Sequence, residues 1–215
     1  MTSQTRRPNP KDERREKVAQ LKAEQQRAEK RRNRIVIGVA ALVGLALVVP
    51  AAFIIVGEQR RQSEIAAAAS EPIDGVQLFD DLGANHVTTP VDYQPTPPVG
   101  GDHHPTWQNC GFYTEPVVDE HAVHSLEHGA VWLTYAPDLP EADVATLRAL
   151  TQRHPYLLVS PYDGVTGPLV ASAWGVQLEL DGVDDERLEP FLRAYLQGPQ
   201  TPEPGAACTG GVGGA

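Results

Sequence analysis

The sequence predicts an α/β (α+β) fold: an N-terminal transmembrane helix, then a small two-layer domain with a mixed sheet and a long, loop-dominated first half. Three observations lead there. Residues 35–56 carry no charge. From Ala130 to Gln197, strand-like and helix-like patterns alternate. Between them, residues 85–118 hold six prolines and three glycines, a density that neither a helix nor a central strand tolerates.

The charge is divided just as sharply. Residues 1–34 carry twelve Lys/Arg against five Asp/Glu, a net +7, whereas residues 57–215 carry six Arg against 23 acidic residues, a net −17. The run between them, IVIGVAALVGLALVVPAAFIIV, meets the roughly 20 apolar residues a membrane helix needs. Pro50 is acceptable there, because neighbouring groups in a membrane helix can re-satisfy the backbone it frees. Its basic flank predicts a single-pass cell-membrane protein with residues 1–34 cytoplasmic and 57–215 extracytoplasmic. A cleaved signal peptide is the rival, with small residues at 66–69 as its cleavage site. Its apolar core would run only about 7–15 residues with the site close behind, and here Glu58, Arg60 and Arg61 intervene. The uncleaved anchor is therefore expected, with the lipid bilayer as partner. The basic segment reads as a topology determinant near anionic headgroups, and the acidic domain argues against nucleic acid. No protein partner is specified.

Residues 57–75 form an Ala/Glu-rich stalk, helical continuation or linker, before an extracytoplasmic globular domain at 76–198 and a Pro/Gly-rich tail at 199–215. Within the proline-rich half, Trp107, Phe112 and Tyr113 demand burial, so that half is expected to be ordered. A short helix follows over 120–128, with Asp119 as N-cap and Gly129 just past its end. Residues 130–135 read as a buried strand, and 140–154 as a helix with Val144, Leu147 and Leu150 at helical spacing. A strand at 156–159 ends at Pro161, with a turn at Asp163-Gly164. Residues 169–180 read as one strand with Gly175 as a bulge. A last helix stops near Gln197, before Gly198. The order of elements is similar to the C-terminal half of thioredoxin-like folds, an analogy of order alone, since no C-x-x-C occurs. The two cysteines, Cys110 and Cys208, both fall on the expected outer side. There an even pair predicts a disulfide, with free thiols serving a metal as the alternative.

Six of the seven histidines lie between His86 and His128. The seventh, His154, suits the C-terminus of its helix and is read as structural. His124-Ser125-Leu126-Glu127-His128 is an H-x-x-E-H string, the signature of one class of zinc peptidase. On a helix His124, Glu127 and His128 share a face, and two imidazoles four apart can hold one metal ion. The candidate metal ligands are His124 and His128, with His103 as third and His104, His86 and Glu127 as alternates. Imidazole ligands suit zinc or copper(II), and Met1 as the sole methionine argues against a thioether copper(I) site. The bland alternative keeps the histidines structural, His128 on carbonyls at a helix end and His124 packed beside Trp107 and Trp132. A zinc hydrolase with Glu127 as general base comes third, because Gly129 cuts the helix short and no second ligand helix stands out. No catalytic residue is assigned.

Four strings carry a resemblance: PVDYQPTPPVGGDHHPTWQNCGFYTEPV, AVHSLEHGAVWLTY, SPYDGVTGPLVASAWG and PQTPEPGAACTGG. Together they resemble the domain of unknown function 3105 family over most of residues 76–211. The resemblance implies a single-span bacterial membrane protein of actinobacterial type, and no established activity, substrate or cofactor. Its signature falls on His103, Trp107, Cys110, Gly111, Tyr113, His124, Glu127, His128 and Gly129, with Cys208 in the tail string, consistent with a disulfide partner. The expected function is a membrane-anchored extracytoplasmic module that binds a transition metal through histidines. Its alternative is a non-enzymatic interaction module of the envelope.

Overall fold

The computed structural model describes residues 10–213. The chain forms two compact units, Met1–Gln59 and Arg60–Ala215. Helix α1 (Pro10–Ser70) makes up the described part of the first, passes through Pro50 without a break, and ends within the second. Its apolar side chains are exposed, among them Leu42, Leu47, Phe53 and Ile54. The stretch 35–56 is apolar on every side and exposed throughout, a pattern shared by membrane spans and signal sequences. Among the described residues α1 is the one helix long and apolar enough to cross a membrane.

The second unit is built on a six-stranded mixed sheet. In chain order its elements are β1 (Gln77–Leu78), β2 (Gly111–Phe112), α2 (Asp119–Glu127), β3 (Val131–Tyr135), α3 (Glu141–Arg153), β4 (Leu157–Pro161), β5 (Leu169–Ala173), β6 (Val176–Leu180) and α4 (Leu188–Tyr195). The spatial order is β1-β6-β5-β3-β4-β2. β3 and β4 run parallel, Trp132 opposite Leu158, with α3 as their crossover. β5 pairs antiparallel with both β3 and β6. Both edges are two-residue strands, which limits the unpaired backbone they offer to other chains.

The predicted strand over 169–180 is instead a hairpin. Ala173 pairs with Val176, and Trp174-Gly175 is a two-residue turn in which Gly175 takes φ +68°, a conformation that suits glycine. The two predicted layers are three. Val131, Leu133 and Tyr135 face a core shared with Leu147 and Leu150 of α3 and Phe191 and Leu192 of α4. Trp132 faces the other way, into a core with Ala122 and Leu126 of α2 and the Cys110–Cys208 disulfide. Both faces of the central strands are covered, so β3, β4 and β5 are buried throughout.

The proline-rich half is ordered against this second face. Gln108 N–H donates to the His121 carbonyl at 2.9 Å, and Ser125 Oγ donates to the Gln108 carbonyl at 2.6 Å. Buried Gln177 of β6 donates from Nε2 to the Pro97 carbonyl at 2.8 Å. The loop's polar backbone thus finds partners on α2 and the sheet in place of a ladder of its own.

Candidate metal centre

α2 starts with Asp119 and Glu120 in its first turn, where acidic side chains suit the helix dipole. The sequence predicts Asp119 as the N-cap, but the helix begins on it. The N-cap is Val118, and the Asp119 carboxylate instead accepts a hydrogen bond from Tyr162 at 2.9 Å. The predicted stop at Gly129 is present: it takes φ +92°. Its N–H donates to the Leu126 carbonyl and that of Ala130 to the Ser125 carbonyl, both at 2.9 Å, a paired closure that needs the left-handed residue. The last turn of α2 is fully covered, and His124, Ser125 and Glu127 are buried in it.

Facing that turn is the bridge His86↔His103. Val87 N–H donates to the His103 carbonyl at 2.7 Å, and His103 N–H to the Asn85 carbonyl at 3.0 Å. Asp102 fixes the pair by accepting from both the backbone and side-chain nitrogens of Asn85, at 3.0 and 2.9 Å. His86, His103, His124 and Glu127 each thereby present one ligand atom to a common point, all four within 4.8 Å of one another. From Glu127 Oε2, His103 Nε2 lies at 3.1 Å and the Nε2 atoms of His86 and His124 at 3.9 Å. A tetrahedral ion with bonds near 2.1 Å separates its ligand atoms by about 3.4 Å. The distances bracket that figure.

The protons decide what the cluster can do. His103 Nδ1 donates to the Gly101 carbonyl at 2.8 Å, and His124 Nδ1 to the His104 carbonyl at 2.7 Å. In each neutral ring the Nε2 that faces the cluster is therefore an acceptor. Glu127 adds another. His103 Nε2 and Glu127 Oε2 are buried without a hydrogen-bond partner, an arrangement that costs about 1–3 kcal/mol per group unless something positive lies between them. Burial, as the first cause, lowers the His124 pKa to about 4; the nearby His128, His103 and His86 push the same way, and the bond to the His104 carbonyl opposes them. His124 is thus neutral near pH 7, the protonation state in which imidazole binds metals. His86 is half-exposed and stacks on His124 with ring centroids 4.9 Å apart. Trp174 and Trp107 wall the other sides, 5.9 Å from His103 and 5.7 Å from His124.

Of the residues singled out in the sequence, the structure brings together His86, His103, His124 and Glu127 and places two elsewhere. His104 faces His121, ring centroids 4.2 Å apart, and its Nδ1 accepts from Thr106 N–H, which puts its proton on Nε2. His128 turns towards the C-terminal tail, its Nδ1 donating to the Ala207 carbonyl at 2.7 Å. Cys110 and Cys208 form the disulfide, so neither offers a thiolate to a metal. Sequence reasoning missed Asp102 and Trp174; only Asp102, next to His103, stood close enough to draw notice.

No curated protein and no solved structure matches the chain. A family model described as "Protein of unknown function (DUF3105)" matches residues 86–210, more than half of the 215 residues and a span that begins on His86. With His103, His124, Glu127 and both cysteines inside that span, the protein belongs to the DUF3105 family, whose function is unknown.

Proposed function

We propose that this is a single-pass membrane protein whose outer domain holds a divalent transition-metal ion, zinc or copper(II). The ligands are Nε2 of His86, His103 and His124 and the carboxylate of Glu127. The observation that carries the proposal is the opposition of buried, unpartnered acceptors, His103 Nε2 and Glu127 Oε2, 3.1 Å apart. A proton on His103 would satisfy that contact alone and leave His124 Nε2 facing the cluster without a donor. A dication satisfies all of them together. Three imidazoles and a carboxylate, with no sulfur, suit zinc or copper(II) over copper(I). The +7 charge of residues 1–34 and a disulfide in the domain both support a cytoplasmic N-terminus and an outer domain. There the ion ties the proline-rich segment to α2, which serves either metal handling or a metal-stapled surface for envelope assembly.

A second reading, an interaction module with structural histidines, is supported by the Nδ1 bonds that pin His103 and His124 without any metal. A hydrolase with Glu127 as base has less support, because Oε2 sits among the ligand nitrogens. Cobalt(II) titration of the full-length chain in detergent separates these. The metal centre predicts an intense tetrahedral absorption band, lost in His103→Ala, while wild-type protein without such a band supports the structural reading.

A further inference from the structure

His128 completes the H-x-x-E-H string, yet its ligand atom lies outside the four-residue cluster. The ring is 4% exposed. Its Nδ1 proton is committed to the Ala207 carbonyl, so Nε2 is an acceptor in the neutral ring. That atom faces a second acceptor, Glu203 Oε2, at 3.6 Å, close to the separation of about 3.4 Å between two ligands of one tetrahedral ion. Glu203 is half-exposed, and its backbone N–H donates to the Glu127 carbonyl at 3.1 Å, which holds it at the end of α2. On its inner side the His128 ring meets that of His124, centroids 4.5 Å apart, and His124 meets His103 at 4.8 Å. Trp107 lies against both His128 and His124, at 5.0 and 5.7 Å. A row of imidazoles thus runs inward from a carboxylate in contact with solvent.

We infer that His128 and Glu203 form an outer site for a divalent transition-metal ion, from which the ion passes by way of His124 into the buried centre. The inference rests on the centre being a metal site. Two protein ligands leave the remaining positions to water, so the outer ion is held weakly and exchanges readily. Transfer is ligand exchange alone: His124 Nε2 and Glu127, then His103 and His86, replace water, Glu203 and finally His128, with no change of oxidation state and no proton taken up. Glu203, half-exposed beside His128, concentrates cations there.

The test is cobalt(II) binding to the full-length chain in detergent, followed by absorbance at equilibrium and by stopped flow. Wild-type protein takes one tight ion and a second bound at least about tenfold more weakly. Glu203→Gln and His128→Ala keep the tight ion, lose the weak one and load on the order of tenfold more slowly. Glu203→Gln, at a half-exposed position, guards against a failure to fold at buried His128. Wild-type loading rates in both variants, with the tight ion intact, overturn the outer site and leave the centre standing. Absence of the tight ion from wild-type protein overturns the centre itself.

Discussion

Glu127→Gln distinguishes a metal centre from a hydrogen-bonded histidine scaffold by the sign of its effect. In the metal-free protein the new amide N–H donates to His103 Nε2 and removes the acceptor–acceptor contact at 3.1 Å. A net hydrogen bond contributes about 0.5–1.5 kcal/mol and an unpartnered buried group costs about 1–3 kcal/mol, so the gain is on the order of 1 kcal/mol. For a chain of this size that is roughly 2–4 °C in Tm. With metal the effect reverses. Four-ligand zinc sites bind with roughly 10–16 kcal/mol, so losing one ligand costs on the order of 3 kcal/mol, about 10²-fold in Kd. The assay is thermal unfolding of the full-length chain in detergent, followed by near-UV circular dichroism, once with excess chelator and once with zinc. The variant melts above wild type in chelator and below it in zinc. If the contact is instead an imidazolium–carboxylate pair, breaking it costs about 3–5 kcal/mol. The variant then melts well below wild type in chelator, and the reasoning fails.

Other expectations follow from the same geometry. His124 has its pKa lowered from 6.5 to about 4, so the unfolded chain binds that proton more readily than the native one. The contribution is fully present above about pH 6.5 and is lost as pH falls towards 4, at most about 1.4 kcal/mol per pH unit. Denaturant unfolding of chelator-treated protein at about pH 7 and pH 5 measures it, and equal stabilities would contradict it. Cys208→Ser opens a disulfide between positions 98 residues apart, with an expected loss of roughly 4–5 kcal/mol in the chain-entropy model. Limited proteolysis should then cut within residues 199–213, which wild type protects through Cys110 N–H to the Cys208 carbonyl and Tyr156 Oη–H to the Ala206 carbonyl. Gly129→Ala places a Cβ at φ +92°, 3.0 Å from Thr201 and 3.1 Å from the Gln197 backbone. It should cost at least about 1–2 kcal/mol, read as a lower denaturation midpoint, and an unchanged midpoint would contradict the strain assigned to that position.

Much of the scaffold was legible because its signals are local. The charge-free run 35–56, the buried strand ahead of Tyr135, the spacing of Leu147 and Leu150, and the glycine that ends α2 all act within a few residues of where they are read. The hairpin at Trp174-Gly175 was not, because a strand-like run such as LVASAWGVQLEL looks the same whether its glycine bulges the strand or turns it back. The third layer escaped for a different reason. α2 buries His124, Ser125 and Glu127, so its polar residues face the proline-rich segment, and a pattern of apolar-in, polar-out misjudges a helix covered on both sides. The site was legible as a set of residue types but not as a shape. Helical spacing says that His124 and His128 share a face; it does not say that a backbone bridge brings His86 and His103 to one of them while the Ala207 carbonyl turns the other towards Glu203.

The most direct test of the metal centre is X-ray absorption at the zinc edge of the full-length chain loaded with one equivalent of zinc. The four-residue cluster predicts a four-coordinate shell of nitrogen and oxygen at about 2.0–2.1 Å, with the outer-shell scattering of three imidazoles. A shell containing sulfur, a six-coordinate shell of oxygen alone, or zinc that washes off before measurement would contradict it.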